Sequence, residues 1–185
     1  MPITQIDPVA ALILIDLQKG IVSRATAHPA SEIVTRSVQL AEAFRQRGLP
    51  VVLVNVAGMA PGRTANPRPD PSTFPPDFAD LVPELNPQPT DIRITKHSYG
   101  AFLGTQLDAE LRKRNVTQVI FVGVATSIGV ESSARSAFDL GYNVAFVTDA
   151  MTDLNPDTHK NSVERFFPRI GELDTTENTL RLLST

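Results

Sequence analysis

The chain has no cysteine and no tryptophan among its 185 residues, and its longest unbroken apolar stretch is the short VAALILI ending at Ile15. Without cysteine there are no disulfides, no thiolate metal sites and no cysteine nucleophile. So short an apolar run falls well below the roughly 20 residues needed to cross a bilayer. Neither sign of charge dominates. A net charge of −3 gives no electrostatic reason to expect nucleic acid or an anionic membrane as a partner. The N-terminus has no basic region leading to a cleavage site, so a cytoplasmic protein without a signal peptide is expected. Also missing is a G-x-G-x-x-G turn after the first apolar run, where DLQKG stands instead, so no dinucleotide cofactor is implied.

Several short runs have the length and β-branched content of strands: 10–16, 50–56, 91–95, 118–124, 143–149 and 170–174. Most are apolar at successive positions, which suits strands covered on both faces of a parallel sheet. Helical stripes lie between them. Ile33, Val34, Val38, Ala41 and Phe44 share a face that stops at Gly48, and Leu103, Leu107 and Leu111 recur every four residues. Val130, Ala134, Ala137 and Phe138 form a third stripe, and a fourth runs over 157–167. A fifth starts at Asp174, where Asp174 and Glu177 have capping-box spacing. The alternation predicts an α/β fold of three layers, Rossmann-like, with a mainly parallel six-stranded sheet. One domain spanning 1–185 accommodates it. Nine of the 15 prolines fall between Pro61 and Pro89. That stretch is either a linker or a stiff excursion, and Phe74, Phe78 and Leu81 favour an ordered flap over 61–90 beside the site.

Ligands of open parallel sheets bind at the carboxyl ends of the strands. Three polar positions fall there: Asp16, Lys96 and the turn from Ala125 to Gly129. Singly, an aspartate there can be a helix cap and a lysine a solvated surface group. Brought together, a lysine beside a carboxylate keeps it ionised or poises it for proton transfer, according to burial.

The segments ALILIDLQKG, ITKHSYGAFLGTQL and GVATSIGVESSARSAFDLGY, in that order, resemble the isochorismatase-like hydrolases, a superfamily that includes nicotinamidases and carbamoylsarcosine amidases. The segment IGVES matches its YecD-type branch. The resemblance implies a small-molecule hydrolase with Asp16 and Lys96 as catalytic residues, and it puts Gly129 at the family's cysteine position. It further implies a cis peptide bond between Val124 and Ala125, and substrate contacts from Val124, Ala125, Ser127 and Ile128. The backbone N–H groups near Ala125 and Gly129 then resemble an oxyanion hole. Self-association as a dimer or tetramer is implied too, with AFVTDAM and RFFPRI as contributing segments.

Glycine excludes covalent hydrolysis by the family's cysteine route. Ser127, Ser132 and Ser133 are neighbours, but Ser132 and Ser133 lie about a turn away and Ser127 is expected to cap the helix. Isochorismatases also carry glycine at this position, and vinyl-ether hydrolysis needs only an acid and water. Gly129 would then leave room for substrate or water. Val56 and Ala125 depart from the glutamine and tyrosine of isochorismatases, and Arg63 is the candidate for a carboxylate-binding arginine. No metal is expected, because His28, His97 and His159 are scattered in sequence, although His97 lies beside Lys96. Three readings stay open: a cofactor-independent hydrolase using Asp16 and water, an inactive binding or regulatory module, and a hydrolase with a displaced serine.

Overall fold

A computed structural model describes residues 1–184. Six strands make one sheet: β1 (Ala10–Ile15), β2 (Val51–Val56), β3 (Ile92–Lys96), β4 (Gln118–Val124), β5 (Asn143–Thr152) and β6 (Glu172–Asp174). Their order across the sheet is β3-β2-β1-β4-β5-β6, and every neighbouring pair is parallel. The helices are α1 (Lys19–Val22), α2 (Ala30–Gln46), α3 (Leu107–Lys113), α4 (Glu131–Asp139), α5 (Pro156–Asn161) and α6 (Thr176–Leu183).

The unbroken apolar character of β1 follows from this layering. Ala10, Leu12 and Leu14 face the core that holds Ile33, Leu40 and Phe44 of α2 and Leu183 of α6. Ala11, Ile13 and Ile15 face the opposite core, with Leu107 and Leu111 of α3 and Ala134 and Ala137 of α4. Each leucine or isoleucine fully buried in this way contributes about 1.5–3 kcal/mol. A polar residue in either register would therefore face a helix layer rather than water. That is why the strand reads as continuous instead of alternating.

Local chemistry moves several predicted boundaries. The stripe at Leu103 is not helical: Leu103 is exposed, Gly104 has φ +69°, and α3 starts only at Leu107. The cap of α6 is Thr175, whose side chain accepts the Asn178 N–H, one residue after the predicted Asp174. Asp174 instead accepts the N–H groups of Ile3 and Thr175, which ties the N-terminal segment to β6. The fourth helical stretch breaks into α5, a π-helical turn over Ser162–Phe166 and a 3-10 turn over Phe167–Arg169. AFVTDAM lies inside β5, where Phe146, Val147, Ala150 and Met151 are fully buried. Phe167 of RFFPRI is buried as well. AFVTDAM thus spends its main apolar groups within the fold, whereas in RFFPRI Phe166 and Ile170 are only partly buried and Pro168 is exposed.

The proline-rich stretch is an ordered excursion between β2 and β3, with 3-10 turns at Pro71–Thr73 and Pro83–Leu85. Its rings at Phe74 and Phe78 stack 4.1 Å apart. Its anchor is Gln18, which is fully buried. Gln18 Nε2 donates to the carbonyls of Val56 and Phe78, 2.9 Å each, and Gln18 Oε1 accepts the Val56 N–H at 2.7 Å. One side chain thus fastens the flap to the ends of both β1 and β2. Gly20 lets the flap close in, because a β-carbon there would stand 2.1 Å from the Phe78 ring.

Candidate active site

The strand order reverses direction between β1 and β4, the place where open α/β sheets form a crevice at their carboxyl ends. Asp16 follows β1 directly and has φ +50°, a left-handed conformation that costs a non-glycine residue roughly 1–2 kcal/mol. Lys96 closes β3. The two converge across β2, with Lys96 Nζ 2.8 Å from Asp16 Oδ2. Both are buried, Lys96 to 2% and Asp16 to 5% exposure. Lys96 Nζ also donates to Ser98 O at 3.1 Å. Among the described residues, Asp16 Oδ1 has no hydrogen-bond partner. Burial pushes the Asp16 carboxyl up to about 6 from its ordinary 3.8, against the opposing pull of the Lys96 charge.

A third strand supplies the turn. The peptide bond between Val124 and Ala125 is cis, as the resemblance implies. Just before it, Gly123 has φ +118°, and a β-carbon there would meet Ile15 O at 2.1 Å, so β4 presses directly against β1 at this level. A π-helical turn over Thr126–Val130 then leads into α4. Within it the N–H groups of Ile128 and Val130 both donate to Ala125 O at 3.1 Å.

Gly129 sits against the carboxyl group, but not in the way its missing side chain suggests. A β-carbon at Gly129 would stand 2.8 Å from Ile15 Cγ2 and 3.1 Å from Asp16 Oδ2. The space directly over Gly129 is therefore already taken. Glycine here allows the close approach of Asp16 to the helix start rather than leaving an empty socket for substrate.

The open volume lies beside this contact, in a cavity of about 210 Å³ with mostly apolar walls. Asp16, Lys96, Val124, Ala125, Ile128 and Gly129 all line it. Ser127 does not. Its N–H donates to Asp153 Oδ2 at 2.6 Å, so a buried carboxylate from the end of β5 performs the capping expected of the Ser127 hydroxyl. Ser133 is committed elsewhere, donating to Gly129 O and accepting the Ala101 N–H. Neither Ser132 nor Ser133 reaches the cavity wall, and Arg63 does not either.

The far wall comes from the flap, through Phe74 and Phe78, and from α1 and the turn after it, through Ile21 and Arg24. Sequence reasoning missed Arg24, Gln18 and Asp153, whose roles depend on contacts across 26 to 60 residues. A signal for Gln18 was present: a polar residue three positions beyond a buried strand, next to the apolar Leu17. The histidines also differ from expectation, since His28 and His159 meet edge to face at 4.7 Å. His159 Nδ1 lies 2.8 Å from Thr126 Oγ1, and burial together with the His28 charge holds its pKa down. Among the described residues no group of three or more His, Asp or Glu side chains is placed to hold a metal ion. No helix of the described residues is long and apolar enough to cross a membrane.

A parallel α/β sheet with a buried acid–lysine pair at its switch point defines a class of proteins that bind small molecules in that crevice. Residues 10–178 match the isochorismatase domain model. The chain is 40% identical over 176 residues to the isochorismatase family protein YwoC of Bacillus subtilis, covering 92% of each. It is 38% identical to YecD of Escherichia coli O157:H7 over 182 residues, covering 94% of this chain and 95% of that one. A solved isochorismatase family protein from Burkholderia thailandensis superposes with a TM-score of 0.92 at 37% identity, over 98% of both chains. The chain belongs to the isochorismatase family of hydrolases.

Proposed function

We propose that this protein hydrolyses a small molecule without a nucleophilic side chain, with Asp16 as the acid or base, Lys96 as its charge partner and water as the attacking group. The observation that carries this reading is the orphaned oxygen. Asp16 Oδ1 is buried, has no partner among the described residues, and belongs to a carboxyl group lining the cavity. A buried polar atom without a partner costs about 1–3 kcal/mol, which a substrate group or water would recover on binding. With its pKa near 6, the carboxyl can hold a proton and release it close to neutral pH.

For a vinyl ether the steps balance without a cofactor. Asp16 gives its proton to the terminal enol carbon, and the oxygen lone pair stabilises the cation formed at the adjacent carbon. Water adds to that carbon, and the resulting hemiketal collapses to a carbonyl compound and an alcohol. The proton lost by water returns to Asp16. In related C–N hydrolysis the same carboxylate would instead take a proton from the attacking water. The N–H groups of Ala125 and Gly129 are the candidate donors to a developing oxyanion. The reading keeps a cytoplasmic, cofactor-independent protein that self-associates. The competing reading, an inactive binding or regulatory module, draws on the absence of a nucleophile at Gly129.

The test is a turnover screen of the purified protein against vinyl ethers, amides and ureido compounds, with Asp16→Asn alongside. Hydrolysis in at least one class, lowered about 10²–10⁴-fold by the substitution, is expected. Turnover that ignores the substitution removes Asp16 from the chemistry. Silence in all three classes transfers support to the binding module.

A further inference from the structure

We propose that His28 and His159 form a proton-sensitive clasp behind the active-site turn. His159 is the positioning residue for the turn that carries the Ala125 and Gly129 N–H groups, and the clasp holds only while the pair carries at most one added proton. Neither ring lines the cavity. The effect on turnover rests on the C–N route of the reading above, the one that uses those N–H groups; the clasp itself does not.

The first ground is that the turn is held by groups outside it. Ser127 N–H donates to Asp153 Oδ2 at 2.6 Å, and Thr126 Oγ1 donates to Thr152 O at 3.0 Å. That donation spends the only hydroxyl proton of Thr126, so the 2.8 Å contact with His159 Nδ1 requires the ring to donate. Thr126 is fully buried, and His159 supplies the donor its oxygen accepts.

The second ground is that His28 is fixed as firmly. His28 Nδ1 lies 3.0 Å from Met151 O, and a carbonyl can only accept, so this nitrogen too carries a proton. The His28 N–H donates to Thr152 Oγ1 at 2.8 Å, and the Thr152 hydroxyl donates to His28 O at 3.1 Å. The N–H groups of Thr26 and Ala27 both donate to Asp153 O. The segment before α2 is thus laced to the end of β5, next to the residues that hold the turn.

The third ground is electrostatic. With both Nδ1 atoms committed as donors, an added proton goes to an Nε2 atom. The ring centres are 4.7 Å apart and both side chains are half-buried. Burial, and after it the His28 charge, hold the His159 pKa down, while the Asp153 carboxylate pulls the other way. Other charges on the surrounding elements are exposed: Arg24 and Glu32 on either side of His28, Asp157 and Lys160 on α5, Glu164 and Arg165 on the turn after it. Asp149 of β5 is paired with Arg36 and bonded by Thr176, and the turn over Thr126–Val130 brings no charge. A second proton therefore sets two like charges side by side with a single carboxylate to offset both. The rings then separate, and His159 leaves Thr126.

Nuclear magnetic resonance tests the clasp without a substrate. The ring signals of His28, His97 and His159 are titrated from about pH 8 to about pH 4, with the exposed His97 as reference. Protection factors of the Ser127, Ile128 and Val130 amides are read at each pH. Wild type should take up the pair's two protons in separate steps, and protection of the turn should fall about fivefold or more through the second. His28→Gln should raise the His159 step by about half a unit or more. His159→Asn puts an amide N–H where Nδ1 stands and cannot become charged, so it should keep protection throughout the range. His159→Ala should lack that protection at every pH. On the C–N route at pH 7, His159→Ala should lower kcat with KM little changed, and His159→Asn should restore it. A His159 step unmoved by His28→Gln overturns the proposal, as does protection that stays level through both steps in wild type or survives in His159→Ala. Acid loss of protection in His159→Asn equal to that in wild type also overturns it, by assigning the effect to Asp153. A silent turnover screen beside the expected titrations counts against the hydrolase reading alone, while an active enzyme with level protection counts against the clasp alone.

Discussion

Two buried aspartates bracket β1, and they are partnered in opposite ways. Asp7, at the amino end, is 7% exposed. Its Oδ2 accepts from Thr117 Oγ1 at 2.7 Å and Asn143 Nδ2 at 3.0 Å, and its Oδ1 from Gln5 Nε2 at 3.4 Å. Its own N–H donates to Gln118 Oε1. Asp16, at the carboxyl end, has one lysine on one oxygen and, among the described residues, no partner on the other. Burial is the same and satisfaction is not. The saturated carboxyl ties the starts of β1, β4 and β5 together, whereas the unsaturated one is left with bonding capacity that only an incoming molecule can use.

That contrast predicts a crossed pair of phenotypes, which is the largest effect expected. Asp7→Ala strips partners from several buried groups and should lower folding stability by about 1–3 kcal/mol while leaving turnover per folded molecule unchanged. Asp16→Asn should do the reverse to turnover, in the range already given for the screen. Denaturant midpoints and kcat, measured on both variants, decide it. A turnover loss in folded Asp7→Ala would mean that the two ends of the sheet are not independent.

A second way to sharpen the comparison is pH, because burial raises the Asp16 carboxyl to about 6 while the Lys96 charge opposes that rise. As an acid it works while protonated, so activity should be full well below pH 6 and fall as pH rises through about 6. As a base it would give the mirror image, with activity rising through the same value. Lys96 lowers this pKa, so Lys96→Met should move the limb upward in either case, by about a unit or more. The variant is expected to fold, since the carboxyl can stay neutral by keeping its proton. Stability follows the same sign in wild type. The folded carboxyl holds a proton that the unfolded chain releases near 3.8, so its contribution is full below that pH and is lost as pH rises through about 6. A pH–rate profile that Lys96→Met does not displace would detach the observed limb from Asp16.

The sheet was legible because burial on both faces writes itself into consecutive residues: AALILI and QVIFVGV can hardly be read otherwise. Asp16 and Lys96 were legible for the same reason, as polar residues ending such runs. The far wall was not. Phe78 reaches the site because Gln18, 60 positions away, bonds its carbonyl, and no local pattern encodes that contact. Asp153 took the capping role expected of Ser127 for a related reason: β5 continues to Thr152, three residues past its predicted end, and delivers the carboxylate to the turn. His28 and His159 are distant in sequence, and only the return of β5 past the segment before α2 makes them neighbours. Local periodicity sees strands and helix faces, while the assembly of a cavity from loops depends on pairings it does not contain.

The smallest predicted effect concerns Gly129, where two terms nearly offset. Gly129 lies in a helical turn without a positive φ, so alanine there gains about 0.5–1 kcal/mol in backbone entropy. Against this, the new β-carbon would stand 2.8 Å from Ile15 Cγ2, and overpacking of that kind costs about 1–3 kcal/mol. Ile15 is branched at its β-carbon and fully buried, so it yields less readily than the end of a flexible chain. The net expectation for Gly129→Ala is a loss of about 1 kcal/mol. The same β-carbon, 3.1 Å from Asp16 Oδ2, would push the carboxyl away from Lys96 and move the pH limb upward, in the direction of Lys96→Met but less far. At the amino end of the sheet no glycine contact bears on Asp7 in this way, so Asp7→Ala should leave the limb where it is. If Gly129→Ala proves more stable than wild type with its pH profile unmoved, Asp16 is not held against the helix start, and the tight contact that separates the two ends of β1 is absent in solution.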